Sequence, residues 1–199
     1  MARVAPAGNA AMIAHDPTAE RFDLTACAVR ALVLYSLAEF QSGHATTIRV
    51  TVDGTVFSVA DDGRGHAIDR AVDGTPYMRF VYEHLEFPHA SGVAAPVQLQ
   101  GIGLSLVNAL CSELIVTVRK ADASLRLRFR EGRLERSEPG SATANGTGNT
   151  IAGTISPRLC PAPADGRLLE GWLLRVLAAC PSLQLHFNGR KLQASRDGG

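Results

Sequence analysis

Residues Asp61-Asp62-Gly63-Arg64-Gly65 set two carboxylates directly before a pair of glycines that flank an arginine. Glycine allows backbone dihedrals and close approaches that a β-carbon forbids. A carboxylate at the end of a buried strand can accept a hydrogen bond from an exocyclic amine such as that of adenine. The same composition also suits an ordinary acidic turn, because Asp and Gly favour turns for purely local reasons. A second candidate, Gly101-Ile102-Gly103, opens an apolar run of helical character. There the backbone amides and the positive end of a helix would cradle phosphate. It lacks the third glycine and the preceding strand of a dinucleotide fingerprint, and it lacks the Lys-Ser/Thr of a P-loop. A third, Gly148-Asn149-Thr150, puts amide and hydroxyl side chains at the entry to a strand, a pattern shared with surface turns.

These groups need elements to position them. Val29, Leu32, Val33, Leu37 and Phe40 recur at helical spacing, which predicts a helix from Leu24 to Phe40 that stops at Ser42-Gly43. Ile48, Val50 and Val52 alternate with polar residues, Asp53-Gly54 marks a turn, and Val56 to Val59 resumes, so a hairpin delivers the chain to Asp61. A helix over Tyr77 to Leu85 is followed by a loop of small residues from Phe87 to Gln100. A second apolar helix then ends at Leu110, and strands follow at Ile115 to Val118, Leu125 to Phe129 and Arg133 to Arg136. Pro139 to Gly148 reads as a low-complexity loop, Thr150 to Ile155 as a strand, Leu168 to Ala179 as an amphipathic helix, and Leu183 to Phe187 as a last strand before Asn188-Gly189. Strands and helices do not alternate regularly, which argues against a doubly wound parallel sheet. The expected class is α+β: a two-layer sandwich with a mixed, largely antiparallel sheet and helices on one face.

The chain has 199 residues, of which 46% are hydrophobic and 20% charged, enough for one sizeable core. One domain over residues 23–192 is expected, with a lead-in arm over 1–22, anchored by Met12-Ile13, and a tail over 193–199. The formal net charge of +1 supplies no general field for nucleic acid, so direct DNA binding is not indicated. Basic residues between Arg119 and Arg136 alternate with Leu125, Leu127 and Phe129, the pattern of a strand with one wet face. Cys27, Cys111, Cys160 and Cys180 are widely spaced and read as buried reduced thiols. His84 and His89 with Glu83 and Glu86 do not converge as metal ligands, so no metal site is expected. Trp172 reads as core or interface. Neither a signal peptide nor a membrane span is evident near the N-terminus, and a cytoplasmic location is expected.

Taken together, Ser42-Gly43-His44 through Val59, Asp61-Asp62-Gly63-Arg64-Gly65 and Gly101-Ile102-Gly103-Leu104-Ser105-Leu106-Val107-Asn108-Ala109-Leu110 resemble the ATPase domain of bacterial type IIA topoisomerase B subunits. That domain, of DNA gyrase B and topoisomerase IV B, belongs to the GHKL or Bergerat-fold group. Its pattern runs from a helix ending in Ala-Gly-His, through a hairpin and an Asp-x-Gly-Arg-Gly turn, to a Gly-Val-Gly-x-Ser-Val-Val-Asn-Ala-Leu helix. Gly148-Asn149-Thr150 resembles its Gly-Thr strand box, and Leu168 to Asn188 its closing helix and strand. The Ser-Leu-Val-Asn-Ala-Leu helix favours this branch over histidine kinases and heat-shock chaperones. The resemblance implies ATP as cofactor. Asp61 would take the adenine amino group, with Gly63 and Gly65 lining base and sugar. Gly101, Ile102 and Gly103 would contact phosphates through their amides, Asn149 or Thr150 would reach the adenine side, and Glu39 would pair with Arg64 at the rim.

The chain departs from the family where hydrolysis is concerned. The family's first helix carries a Glu that activates water and, one turn later, an Asn that holds magnesium; the matching residues here are Ala31 and Tyr35, with Leu34 and Ala38 replacing two further acids. No catalytic residue remains to name. General-base catalysis contributes on the order of a hundred- to ten-thousand-fold, so weak or no hydrolysis is expected, and magnesium is not supported. Gln98 and Gln100 replace a glycine and a histidine of the phosphate loop, and His66-Ala67 replaces an Ile-Pro beneath the base. Family members continue into further domains, whereas this chain ends at Gly199, so it is not expected to act as a topoisomerase alone. The alternative is a non-catalytic pseudo-ATPase module that docks on a gyrase-like partner or self-associates.

Overall fold

The structure, a computed structural model, describes residues 23–84, 103–142, 146–159 and 163–193. Helix α1 spans Leu24–Gln41; Asp23 caps it by accepting from the Ala26 N–H at 2.9 Å, and Gly43, at φ 76°, ends it. By length and composition α1 could cross a membrane, yet Val29, Leu32, Val33 and Leu37 are buried in the core. The hairpin β1 (Thr47–Asp53) and β2 (Val56–Asp61) follows as expected. Next come a small hairpin, β3 (Ala71–Val72) with β4 (Thr75–Pro76), then α2 (Tyr77–Glu83) and α3 (Leu104–Leu110). The meander β5 (Cys111–Arg119), β6 (Ala123–Arg130) and β7 (Arg133–Ser141) leads to β8 (Gly148–Ile155), α4 (Gly166–Ala179), β9 (Gln184–Phe187) and β10 (Arg190–Lys191).

Among the described residues eight strands form one sheet in the order β10-β9-β1-β2-β8-β5-β6-β7, antiparallel except where β1 pairs with β9. Along β1 and β2 the side chains of Ile48, Val50, Phe57 and Val59 alternate onto the buried side, where they join Leu32, Leu37, Trp172 and Leu173 from the helices. That is the expected two-layer α+β sandwich. The decisive connection is β8, which leaves the meander and returns to sit between β2 and β5.

Several expectations are corrected. β5 begins at Cys111, directly after α3, rather than at Ile115. β7 runs through Pro139, Gly140 and Ser141, a stretch whose composition suggested a loop; β7 is an outer strand, where a proline costs no ladder bond. The β3–β4 hairpin has no counterpart in the expected elements. Cys111 is buried, but Cys27 lies on the solvent side of α1 and Cys180 is half-buried. Trp172 is core, with the Arg30 guanidinium 5.6 Å from its ring centre. On β6, Leu127 and Phe129 point inward, while Arg128 and Arg130 pair with Glu135 on the wet side. The arm over 1–22, Cys160, His89, Gln98 and Gln100, and residues 194–199 of the tail lie outside the described residues.

Gly153 on β8 faces Phe57, Leu114 and Cys111 across a gap with no room for a β-carbon; one placed there would lie 2.8 Å from Phe57 and 2.9 Å from Leu114. Gly153→Ala is expected to lower stability by about 1–3 kcal/mol through overpacking. Equilibrium denaturation reads this as a reduced midpoint at unchanged slope, and an unchanged midpoint would show that the layer repacks freely.

Candidate functional site

The alternation that buries Phe57 and Val59 on β2 continues to Asp61, so the carboxylate falls on the helix-covered face and is 3% exposed. A buried carboxylate without donors is costly. Four are supplied: the Gly63 N–H (3.0 Å) and Asn149 N–H (3.3 Å) to Oδ1, and the Ser36 hydroxyl (2.9 Å) and Asn149 side-chain amide (3.5 Å) to Oδ2. Burial raises the Asp61 pKa above the ordinary aspartate value, and these hydrogen bonds offset part of the rise. Asp62, one residue on, points the other way and accepts from Thr46 and Thr47 at the start of β1, closing the hairpin's open end. The two adjacent carboxylates therefore do different work: one faces the site and one holds the turn.

Helical periodicity aligns Tyr35, Ser36 and Glu39 along the side of α1 nearest this turn. Glu39 accepts from Arg64 through the guanidinium at 2.8 and 3.1 Å and from its backbone N–H at 3.2 Å. Hydrogen bonding from the Arg64 side chain lowers the Glu39 pKa. Gly65 adopts φ 71°, and a β-carbon there would lie 2.8 Å from the Arg119 carbonyl oxygen, so both conformation and space demand glycine. From the β5–β6 connection, Lys120 Nζ donates to the Arg64 and Gly65 carbonyls at 3.0 and 2.9 Å.

Beneath the turn lies a second polar cluster. His66 is buried, and its Nδ1 and Nε2 lie 2.8 Å from the Tyr35 hydroxyl and 3.2 Å from the Tyr82 hydroxyl. Its backbone N–H donates to Asn149 Oδ1 at 2.9 Å. This fixes the amide's orientation: Oδ1 faces His66 and Nδ2 faces Asp61. Burial, reinforced by the nearby positive charge of Lys120, lowers the His66 pKa from 6.5 to about 4. The ring is therefore neutral near pH 7, donating through one nitrogen and accepting through the other. Burial also raises both tyrosine pKa values.

The β2–β8 register, Ala60 opposite Thr150, brings Asn149 beside Asp61. Of the two residues expected to reach the adenine side, Asn149 lies against Asp61. Thr150 has the opposite parity on β8 and accepts from Arg119 Nη1 at 3.0 Å, turned away from Asp61. Gly63 packs against Asp61 and Glu39. Gly103 starts α3, its carbonyl accepting from the Leu106 and Val107 N–H groups. Gly101 and Ile102 lie outside the described residues, as does the expected loop from Phe87 to Gln100. Ala31 is buried and offers no polar group, and Tyr35 turns its hydroxyl to His66. Among the described residues no three His, Cys, Asp or Glu side chains group to hold a metal ion. Sequence reasoning did not single out Ser36, Tyr82 or Lys120. A serine among Leu32, Val33 and Leu37 was the available hint for the first; nothing local marked the others.

No family model matches the chain. It is 38% identical over 128 residues to the DNA gyrase B protein of Micrococcus luteus, an alignment covering 58% of this chain and 17% of that protein. It is 38% identical over 90 residues to the DNA gyrase B protein of Mycobacterium tuberculosis, covering 41% and 13%. It is 28% identical over 167 residues to the DNA topoisomerase 4 B protein of Mycoplasma genitalium, covering 78% and 26%. The matched stretches thus span at most about a quarter of those relatives' length. Among solved structures, the 43K ATPase domain of Thermus thermophilus gyrase B, in complex with an aminocoumarin, superposes with a TM-score of 0.68 at 23% identity, covering 83% of this chain and 43% of that one. The topoisomerase IV ATP-binding domain of Francisella tularensis, in complex with a small-molecule inhibitor, gives 0.68 at 20% identity, covering 82% and 83%. The chain has the GHKL, or Bergerat, fold of the gyrase B and topoisomerase IV B ATPase domains, and its sequence is related to those proteins.

The buried histidine gives a pH signature. With a folded-state pKa of about 4 against 6.5 ordinarily, His66 binds fewer protons folded than unfolded between those values. Stability is therefore full above about pH 6.5 and falls as pH drops toward 4, by on the order of 3 kcal/mol over the whole interval. Asp61, with its raised pKa, has the opposite sign just above 3.8, gaining stability as pH falls. Denaturation midpoints of the wild type are expected to decline from pH 7 to 4.5. A His66→Gln variant should decline less, and parallel curves would rule out His66 as the titrating group.

Proposed function

We propose that this chain is an adenine-nucleotide-binding domain of the gyrase B and topoisomerase IV B type that binds ATP with weak or no hydrolysis. The observation that carries this reading is the Asp61 carboxylate. It ends a central strand on the helix-covered face, is ringed by Ser36, Gly63 and Asn149, and lies under a rim pinned by Glu39 and Arg64. An ionised carboxylate accepts a ligand amine, and the glycines at 63 and 65 let the turn pack closely against Asp61, Glu39 and the Arg119 carbonyl beside it. Gly101, Ile102 and Gly103 are the residues proposed to meet phosphate.

Hydrolysis needs a group to take a proton from water and a charge to neutralise the developing phosphate. Ala31 offers neither, and the Tyr35 hydroxyl is committed to His66 and held neutral by its raised pKa. Magnesium has no part in this reading, and neither does strand passage by this domain alone. The expected location is cytoplasmic.

A second reading has one observation in its favour: all four donor positions around Asp61 are filled from within the protein, and the site closes on itself. On that reading the domain is a pseudo-ATPase that docks on a gyrase-like partner or on another copy of itself.

Calorimetric titration with ATP and a non-hydrolysable analogue, with and without magnesium, separates the two. Binding is expected, indifferent to magnesium and weakened at least about tenfold, or about 1.4 kcal/mol, by Asp61→Asn. Turnover is expected to be about a hundredfold or more below that of a domain carrying the glutamate base. Absence of binding at millimolar nucleotide would leave the docking module as the function. Turnover equal to an intact gyrase B domain would show that Ala31 is not at the catalytic position.

A further inference from the structure

The donors around Asp61 are unequal in their freedom to move. The Gly63 and Asn149 N–H groups belong to the backbone of a turn and a central strand, and the Ser36 hydroxyl sits at 2.9 Å on a buried helix face. The Asn149 side-chain amide, at 3.5 Å from Oδ2, makes the longest of these bonds, and rotation of a side chain is enough to release it. An ionised carboxylate has about four lone-pair positions, so with four donors in place none is left for a ligand amine. The amide is also restrained from its other end. Asn149 Oδ1 accepts from the His66 N–H at 2.9 Å, and the His66 ring is in turn held between Tyr35 and Tyr82. Both Asn149 and Asp61 are almost wholly buried, so water does not readily replace a lost partner.

We infer that Asn149 is an internal competitor for the Asp61 carboxylate, its amide occupying the place a ligand's exocyclic amine must take, so that this residue sets how tightly, and for which donors, the site opens. The inference rests on the reading of Asp61 as an amine acceptor for a purine. It gives Asn149 a role opposite in sign to that of a ligand contact. A contact residue weakens binding when truncated, and a competitor strengthens it. Ligands bearing an amine that donates strongly displace the amide; oxo bases, which present an acceptor to Asp61, do not.

The test uses adenosine as probe, with inosine as the oxo control, titrated by calorimetry into the wild-type chain, Asn149→Ala and Asn149→Asp. Removing one competing hydrogen bond is expected to tighten adenosine binding about fivefold in Asn149→Ala. Asn149→Asp keeps an acceptor for the His66 N–H but sets a second carboxylate against Asp61, and is expected to lose adenosine. Inosine is expected to bind none of the three. Adenosine bound equally or more weakly by Asn149→Ala would overturn the competitor role while leaving the nucleotide reading intact. Adenosine bound by neither wild type nor a folded Asn149→Ala would overturn the nucleotide reading itself. If Asn149→Ala does not fold, the wild type decides: the Asn149 side-chain amide NMR signal is expected to shift on saturation with adenosine as its bond to Asp61 breaks, and an unshifted signal would refute the inference.

Discussion

A carboxylate inside the helix-covered layer of an eight-stranded sheet is the constraint around which this domain is arranged. Asp61 occupies a position that strand alternation would otherwise give to a third hydrophobic residue after Phe57 and Val59. Its charge is tolerable there only because donors converge from three separate parts of the chain: α1 through Ser36, the glycine turn through Gly63, and β8 through Asn149. Removing any one leaves a buried acceptor short of a partner, an asymmetry that makes such networks demanding of the fold around them.

The same demand explains features that look unrelated along the chain. The insertion of β8 between β2 and β5 puts Asn149 within reach of Asp61. Gly148, at φ 127°, lies so close to the Asp61 carbonyl that no β-carbon fits. Gly65 is squeezed against the Arg119 carbonyl, and Lys120 donates to the carbonyls of the turn as it passes. Outside this core of contacts, Glu39 and Arg64 tie α1 to the turn at the solvent edge, where ion pairs contribute less to stability than to registering one element against another.

The polar contacts on the two sides of Asn149 are coupled to one another. Tyr35 and His66 stand 31 positions apart in sequence, yet their side chains form one hydrogen bond. Tyr82 completes the set, and packs on Phe129 of the meander. A buried histidine is tolerable only if both ring nitrogens are engaged, and two tyrosine hydroxyls do that with either tautomer. Because the His66 N–H also holds Asn149, the histidine cluster and the Asp61 network share one amide. The contacts of Tyr35 and Tyr82 with His66 and the filled donor positions around Asp61 are thus parts of one arrangement of polar contacts.

Local chemistry in the sequence was enough to determine the helix α1 with its glycine stop, the β1–β2 hairpin around Asp53-Gly54, the amphipathic α4 and the glycine turn after Asp61. These depend on periodicity and on dihedral preferences that act over a few residues. Family likeness added the position of Glu39 opposite Arg64. Other features were beyond local reading. The extension of β7 through Pro139 depends on its being an outer strand, and the choice of Asn149 over Thr150 depends on strand parity once β8 is paired with β2. The meeting of Tyr35, His66 and Tyr82 requires α1, the turn and α2 to be packed together. Such contacts join residues from different elements, and their energy comes from burial and mutual satisfaction of polar groups, which exist only after the sheet has assembled.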